Sequence, residues 1–475
     1  MSVHSAPADL RALRLQRSGA LPAGGLVWTA TIAVTGVLFA AAAALHNDKV
    51  LLAAGVCALW GIAFAIRPAL GVALIVIVRP SLDLWADRPL ASIGSSQLNA
   101  ASLMALMFIA IGGAYVIEHW ANARSAPVAR PYLGLAIMAV LSISVAPSKG
   151  GAITETLRLL SVVVLYLAAF AVIRDRRGLM RMTAAILTSL IVPTVVALYQ
   201  FSHGGSTVIG EVGRSTGTFL HPDPFGIFLG FMTAFMVPLA LTGVLRYRWW
   251  VVLALPAVAL ALISSYTRTG WVGFMFGMAV LAVVRYRRLL VIGPLLLVLV
   301  AAAVPSTLHR FSDLNSGRTH YGPGNSLRAR YDLWRQNLPK VAHNPVLGNG
   351  FKSIVEDTAG TAGPAAGGVN VVQGAHSHSD FVRAVVELGV PGLVFFMWLV
   401  FGSVKACSRS LKRATTARDP ALTALSLGAL AASSAYLLMS FDSNLMTQVA
   451  VSGTMWTVAA VGHAAGRIET HGSEA

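Results

Sequence analysis

The sequence holds two cysteines among 475 residues and carries charge on only 12% of them. Cys57 sits inside one apolar run and Cys407 at the end of another beside a basic segment, so no disulfide is expected between them and a disulfide-built scaffold is excluded. No Cys-rich or compact carboxylate set completes a zinc site. The scarcity of charge, beside 56% hydrophobic residues, excludes an ordinary soluble domain, in which about a quarter of residues are charged. Acidic residues are scarcest, 19 against 36 lysines and arginines, for a formal net charge of +17. That excess invites a nucleic-acid reading. The basic residues fall in short clusters between apolar runs, however, which is a membrane-topology pattern, and no nucleic acid is expected as a partner. No convincing cleavage site follows the first apolar run at 26–45, although Arg11, Arg14 and Arg17 precede it as in a signal peptide, so the run reads as a retained anchor. No internal repeat is found.

What the chain has in abundance is apolar sequence of membrane length. Runs fall near 26–45, 50–66, 68–78, 98–117, 131–146, 157–173, 182–199, 223–245, 249–264, 269–284, 289–304, 381–403, 421–440 and 445–462. The third is too short to cross alone, which predicts an all-α polytopic membrane protein of about 12–14 spans. Placing the N-terminus in the cytoplasm puts every dense basic cluster of a short loop on that side: Arg124 and Arg130; Arg174, Arg176, Arg177 and Arg181; Arg246 and Arg248; Arg285, Arg287 and Arg288; and Lys405 to Arg418. The opposite side then holds 79–97, 147–156, 200–222, 265–268 and one long loop, 305–380. The organisation expected is a cytoplasmic tail (1–25), a helix bundle (26–304), that extracytoplasmic loop, C-terminal spans (381–462) and a cytoplasmic tail (463–475). Trp249, Trp250 and Trp271 near span ends fit an aromatic belt.

The long loop exceeds a passive connector. Residues 326–341 place Leu327, Tyr331, Trp334 and Leu338 on one helical stripe beside Arg328, Arg330 and Arg335, which predicts an amphipathic helix against the membrane or the spans. Asn344–Phe351 is turn chemistry, and 358–370, rich in Gly, Ala and Pro, reads as a mobile flap. The loop ends at His376 and His378, where polar sequence meets an apolar span. Asp380, Arg383 and Glu387 follow at spacings that can share a helix face. Gly389, Pro391 and Gly392 predict a kink in that span rather than its end.

Four polar clusters fall on the same expected side: 213–224, 264–271, 326–351 and the His376/His378 segment. Arginine suits pyrophosphate through bidentate, charge-assisted hydrogen bonds, and histidine can take a proton from a hydroxyl near neutral pH. Within these clusters the pattern Arg-x-x-Gly-x-Phe-x-x-Pro at 214–222, Thr-Arg-x-Gly-Trp at 267–271, Asn-Pro-x-x-Gly-x-Gly at 344–350 and His-Ser-x-x-Val-x-x-x-x-Glu-x-Gly at 378–389 resemble the O-antigen ligase and polymerase family of bacterial surface-polysaccharide enzymes. The resemblance covers roughly 200–400. It implies a GT-C-like, metal-independent, inverting glycosyltransferase of the bacterial cytoplasmic membrane, with no cofactor. Its donor would be an undecaprenyl-pyrophosphate-linked glycan and its acceptor a hydroxyl of a glycan or lipid at the outer face. Membrane lipids and other polysaccharide-assembly proteins would be its partners. Carried over by position, His378 is the candidate base, and Arg214 and Arg268 hold the pyrophosphate. Arg330 and His376 join them as candidate substrate-binding residues. The chain departs from the family in having Ser379 after the histidine and Thr267 before the second arginine, where Asn and Ser are common.

Plainer readings stand beside these. Arg214 and Arg268 can each be headgroup snorkellers, His376 a loop residue without a role, and Arg383 with Glu387 a structural i, i+4 ion pair. Asp380 keeps open a retaining route through a carboxylate nucleophile. The rival function is a transporter or flippase of lipid-linked saccharides. Span centres nearly free of charge, with polar residues gathered outside, favour surface chemistry over that rival.

Overall fold

The computed structural model describes residues 24–85, 89–93, 96–209, 212–242, 248–291, 318–319, 322–323, 326–357, 371–373 and 377–468. These residues are overwhelmingly helical, and their only strands form four two-stranded antiparallel hairpins. The chain is an all-α polytopic membrane protein. Among the described residues eight helical stretches are long and apolar enough to cross a membrane, Arg176–Ser202 being counted as one, and four shorter apolar helices accompany them.

In order the helices are α1 (Gly25–Leu45), α2 (Asp48–Ile66), α3 (Pro68–Val78), α4 (Ala100–Glu118), α5 (Ala129–Ser142), α6 (Lys149–Val172), α7 (Arg176–Thr188) and α8 (Ile191–Ser202). They continue as α9 (Pro222–Thr242), α10 (Arg248–Ser264), α11 (Arg268–Val284), α12 (Ser326–Asn337), α13 (Asp380–Thr416), α14 (Pro420–Met439) and α15 (Val449–Ala465). Several starts are set by a capping side chain that accepts an otherwise orphaned N–H: Asn99 from Ser102, Ser148 from Gly151, Asp175 from Gly178 and Asp419 from Leu422. α9, α14 and α15 are buried nearly all round and form the centre, with α6, α11 and α13 against them, whereas α1 and α2 keep most of their apolar surface exposed.

Small residues let α9 and α11 approach closely. A Cβ on Gly270 would lie 2.4 Å from the Gly226 carbonyl oxygen, and one on Gly230 would lie 2.5 Å from that of Gly270. This contact brings the starts of both helices, Asp223 and Thr267, side by side.

The structure alters several boundaries. The 11-residue α3 does not stop at 78 but runs into a 3₁₀ turn, Arg79–Trp85. The 182–199 run is broken at Ser189–Leu190 into α7 and α8. Most of the expected 147–156 loop is the first turns of α6, so Glu155 is buried in a helix. Trp249 and Trp250 are exposed, but Trp271 turns inward and donates to the Leu262 carbonyl, 3.0 Å away. The first tail up to residue 23, the flap at 358–370 and nearly all of the 289–304 run lie outside the described residues.

The loops sort to two ends. Arg176 pairs with Asp419, Arg467 donates to the carbonyls of Phe170 and Ile173, and Arg413 donates to that of Gly466, gathering the basic 170–176, 413–419 and 466–468 segments at one end. At the other, Thr218 donates to Pro80 O (2.6 Å), Lys352 lies 3.9 Å from Glu155, Arg330 pairs with Asp442, and Trp334 donates to Ser377 O (2.7 Å). The four polar clusters read from the sequence therefore share an end.

Candidate functional site

The Arg214 region is built on a hairpin, Thr207–Ile209 paired with Val212–Arg214, followed by a loop that returns to α9. Gln200, at the end of α8, holds that loop with its amide. Its oxygen accepts from Thr216 N (2.9 Å) and Gly217 N (2.8 Å), and its nitrogen donates to Gly217 O (3.0 Å). Gly217 takes φ +57, the left-handed region that costs a Cβ-bearing residue roughly 1–2 kcal/mol. Arg214 is buried. Its guanidinium donates to Ser265 O (2.8 Å), Thr267 Oγ1 (3.0 Å) and Asp223 Oδ1 (2.6 Å), tying the hairpin to the starts of α9 and α11. Asp223 is half-exposed, so the Arg214–Asp223 pair borders the surface. His221 lies 3.5 Å from the same carboxylate. Burial pushes His221 below the ordinary histidine value, with the Arg214 charge in the same direction and Asp223 opposing.

Arg268 opens α11 beside this pair. Arg330 reaches it from α12. Burial and then the neighbouring Arg268 charge push Arg330 below the ordinary arginine value, while Asp223 pulls the other way. Its ion-pair partner is Asp442, whose other oxygen accepts from Thr269 Oγ1 at 2.6 Å. Arg214, Arg268 and Arg330 thus lie in one electrostatic neighbourhood with Asp223 and Asp442, a cationic surface that would suit an anion of more than one charge.

The face of α12 that packs on the protein carries Leu333 and Asn337, and part of the apolar stripe lies away from it. Tyr331 and Leu338 are exposed, Leu333 and Asn337 are buried, and Arg330 and Trp334 are partly covered; the side chain of Leu327 lies outside the described residues. The phase is set by what lies beneath, because Leu333 packs against Ile354 and Val386. Buried Asn337 is satisfied locally, donating to Leu333 O (2.9 Å) and accepting from Lys340 Nζ (2.8 Å). Arg335 is exposed.

His378 is exposed and left-handed, φ +52, on the turn before α13. A non-glycine residue there costs of order 1–3 kcal/mol and persists only where its surroundings fix it. Here they do. Ser377 O accepts from Trp334, Ser379 caps α13 through Val382 N, and Asp380 N donates to Ser440 O (2.9 Å). Asp380 is fully buried, its carboxylate accepting from Leu445 N and Met446 N at 3.0–3.1 Å, so it clamps the chain instead of facing a sugar as a nucleophile would. His376 lies outside the described residues.

Behind His378 is a closed ionic cluster. Arg383 donates to Glu387 (2.7 Å), Glu155 (2.8 Å) and Thr447 (2.7 Å), with Phe351 under its guanidinium at 4.9 Å. The kink in α13 falls at Gly389, φ +75, and the Asn344–Phe351 turn supplies the hydrogen bonds it frees. Asn349 N donates to Val386 O, Gly350 N to Glu387 O, and Val390 N to Pro345 O, all at 2.8–2.9 Å. The turn therefore joins α12 to α13 across the kink.

Sequence reasoning did not assign Gln200, Asp223, Asp442 or Asn444. Asp223 stood in the 213–224 polar cluster, one residue past the Arg214 motif, whereas the 440–448 turn carries no periodic signal and shows its use only in its contacts.

No curated protein matches the chain. Residues 251–397 match a family model described as O-antigen ligase. That stretch contains Arg268, Arg330, the 344–350 turn, His378 and the kink, and leaves Arg214 and the 440–448 turn outside. Over that stretch the chain is similar to the O-antigen ligase family.

Proposed function

We propose that the protein is an inverting, metal-independent glycosyltransferase. It moves a glycan from undecaprenyl pyrophosphate to an acceptor hydroxyl at the outer face of the bacterial cytoplasmic membrane, in polymerisation or ligation of a surface polysaccharide. The observation that carries this reading is the meeting of Arg214, Arg268 and Arg330 with the His378 turn at one end of the helix bundle, within and beside the family match. His378 takes the proton of the acceptor hydroxyl, whose oxygen attacks the anomeric carbon as the bond to pyrophosphate breaks. The arginines neutralise charge growing on the departing oxygen, and the protein needs no nucleophile of its own because the leaving group is already good. His376 is carried in this reading, from the sequence, as a further substrate-binding residue.

In this reading Asp223 and Asp442 occupy the arginines until the donor's phosphates arrive. The basic opposite end faces the cytoplasm, in keeping with the charge rule.

The test is transfer by the purified, reconstituted protein with an undecaprenyl-pyrophosphate-linked oligosaccharide, product length being read on a gel. A ladder of lengths identifies a polymerase and single-unit transfer a ligase, and His378→Ala should abolish either. Movement of the lipid-linked sugar across the bilayer with no glycosidic bond formed would replace this reading with the transporter.

A further inference from the structure

His378 is held by more than its own loop. Asn444, in the turn between α14 and α15, places its side-chain oxygen against both residues that flank the histidine. It accepts from Ser377 Oγ (2.6 Å) and from Ser379 N (3.1 Å). The Ser379 N–H can only donate, which fixes the amide with its oxygen toward the His378 turn. Ser377, Ser379 and Asn444 are all buried, so these bonds are not in exchange with bulk water. The same turn grips the next residue through Ser440 O, Leu445 N and Met446 N.

We propose that Asn444 is a positioning residue for His378: by bridging Ser377 and Ser379 it holds the left-handed turn that presents the imidazole to the acceptor hydroxyl. The inference rests on the assignment of His378 as the base. Asn444 lies outside the 251–397 family match, so the match does not carry it. Without the bridge the turn keeps only the Ser377 Oγ contacts to Ser379 O (2.7 Å) and Ser379 N (3.3 Å) and its outer anchors, which leaves φ at His378 freer to relax toward negative values and swing the imidazole away. Displacement of a catalytic group by about 1 Å is worth roughly 100-fold in rate.

The experiment uses the full chain in proteoliposomes with the lipid-linked oligosaccharide extracted from the source cells. It compares the unaltered protein, Asn444→Ala, Asn444→Asp and His378→Ala. Asn444→Ala is expected to lower kcat by about 30- to 100-fold with donor KM changed by less than about threefold, the signature of a displaced base rather than a lost binding contact. Asn444→Asp keeps an acceptor oxygen where both donors need it. It should retain the fold, recover kcat to within about fivefold, and move the acidic limb of the pH–rate profile upward, because a carboxylate beside the turn favours the protonated imidazole. An unchanged kcat in Asn444→Ala, or an Asp variant with neither rescue nor a moved limb, overturns the proposal. His378→Ala separates the two readings. An inactive His378→Ala beside a fully active Asn444→Ala removes only the positioning role, and an active His378→Ala removes the base assignment and this inference with it.

Discussion

Arg383 is the residue whose loss should cost most without touching the chemistry. It lies buried between Glu155 and Glu387, which are themselves buried, and its three hydrogen bonds of 2.7–2.8 Å join α6, α13 and the 440–448 turn. Arg383→Met keeps the volume and deletes the charge. Removing one partner of a buried pair typically costs 3–5 kcal/mol, because a charge is left uncompensated. Glu155 would keep Arg158 at 2.6 Å and Lys352 at 3.9 Å, whereas Glu387 would keep the Lys352 N–H at 2.9 Å. The loss therefore belongs near the lower end of that range, about 3 kcal/mol. Adding Glu387→Gln should return about 1–2 kcal/mol, since the orphaned charge is then gone. Equilibrium unfolding in mixed micelles, followed by tryptophan fluorescence, measures each variant. Unchanged stability in Arg383→Met would refute the structural role, as would a double variant less stable than the single one. Activity lost at full stability would instead put Arg383 in contact with substrate.

Gly389→Ala should destabilise the protein by about 1–3 kcal/mol from the backbone alone, whose φ of +75 and ψ of −178 are a combination essentially confined to glycine, with a further penalty because its Cβ would lie 2.5 Å from Val346 O; proteolysis in the 344–351 turn should rise with it. Arg214→Lys keeps a charge but cannot reproduce the fork that reaches Ser265, Thr267 and Asp223 together, so kcat/KM should fall by about 100-fold in the glycan-transfer assay while Arg335→Lys, on the exposed face of α12, stays near the unaltered value. His221 sits below its ordinary value, so the folded state binds fewer protons there than the unfolded one. That part of the stability is present above about pH 6.5 and is lost as pH falls through the lower folded value, so thermal melts in detergent should show His221→Gln with a flatter acid dependence.

The parts of this molecule that were legible in its sequence are those written in short-range pattern. Apolar runs marked the helices because each must hide backbone polar groups from lipid within its own length, and α9 and α14 follow them closely, whereas α13 starts with its run but continues well past it to Thr416. Gly389 marked the kink because its φ of +75 is a local demand. The i, i+4 spacing of Arg383 and Glu387 marked their ion pair, though not its third member, Glu155, 228 residues away. Where the pattern was only helical, it fixed the existence of an element but not its facing. The α12 stripe shows this: Leu333 packs on Ile354 and Val386, while Tyr331 and Leu338 of the stripe lie on the surface.

The candidate site divides along the same line. Arg214, Arg268 and His378 were each visible as a polar residue near the edge of apolar sequence, where a charge needs a reason to be, and Arg330 as a cation beside the amphipathic stripe of the long loop. Their holders were not, because a holder needs only one good acceptor in one place. Gln200 pins the Arg214 loop with one amide, and Asn444 reaches both sides of His378 with another. Neither Gln nor Asn is unusual near a helix end, so no composition or spacing singles them out. The two amides do the same physical work on unrelated segments: each satisfies two donors of an irregular loop that would otherwise be left unpaired in a buried setting, at a cost of about 1–3 kcal/mol per group. A loop fixed in this way can hold a reacting group in a backbone conformation it would not choose alone. On the proposed reading the precision of the site resides as much in Gln200 and Asn444, which carry no charge, as in Arg214 and His378, whose loops they hold.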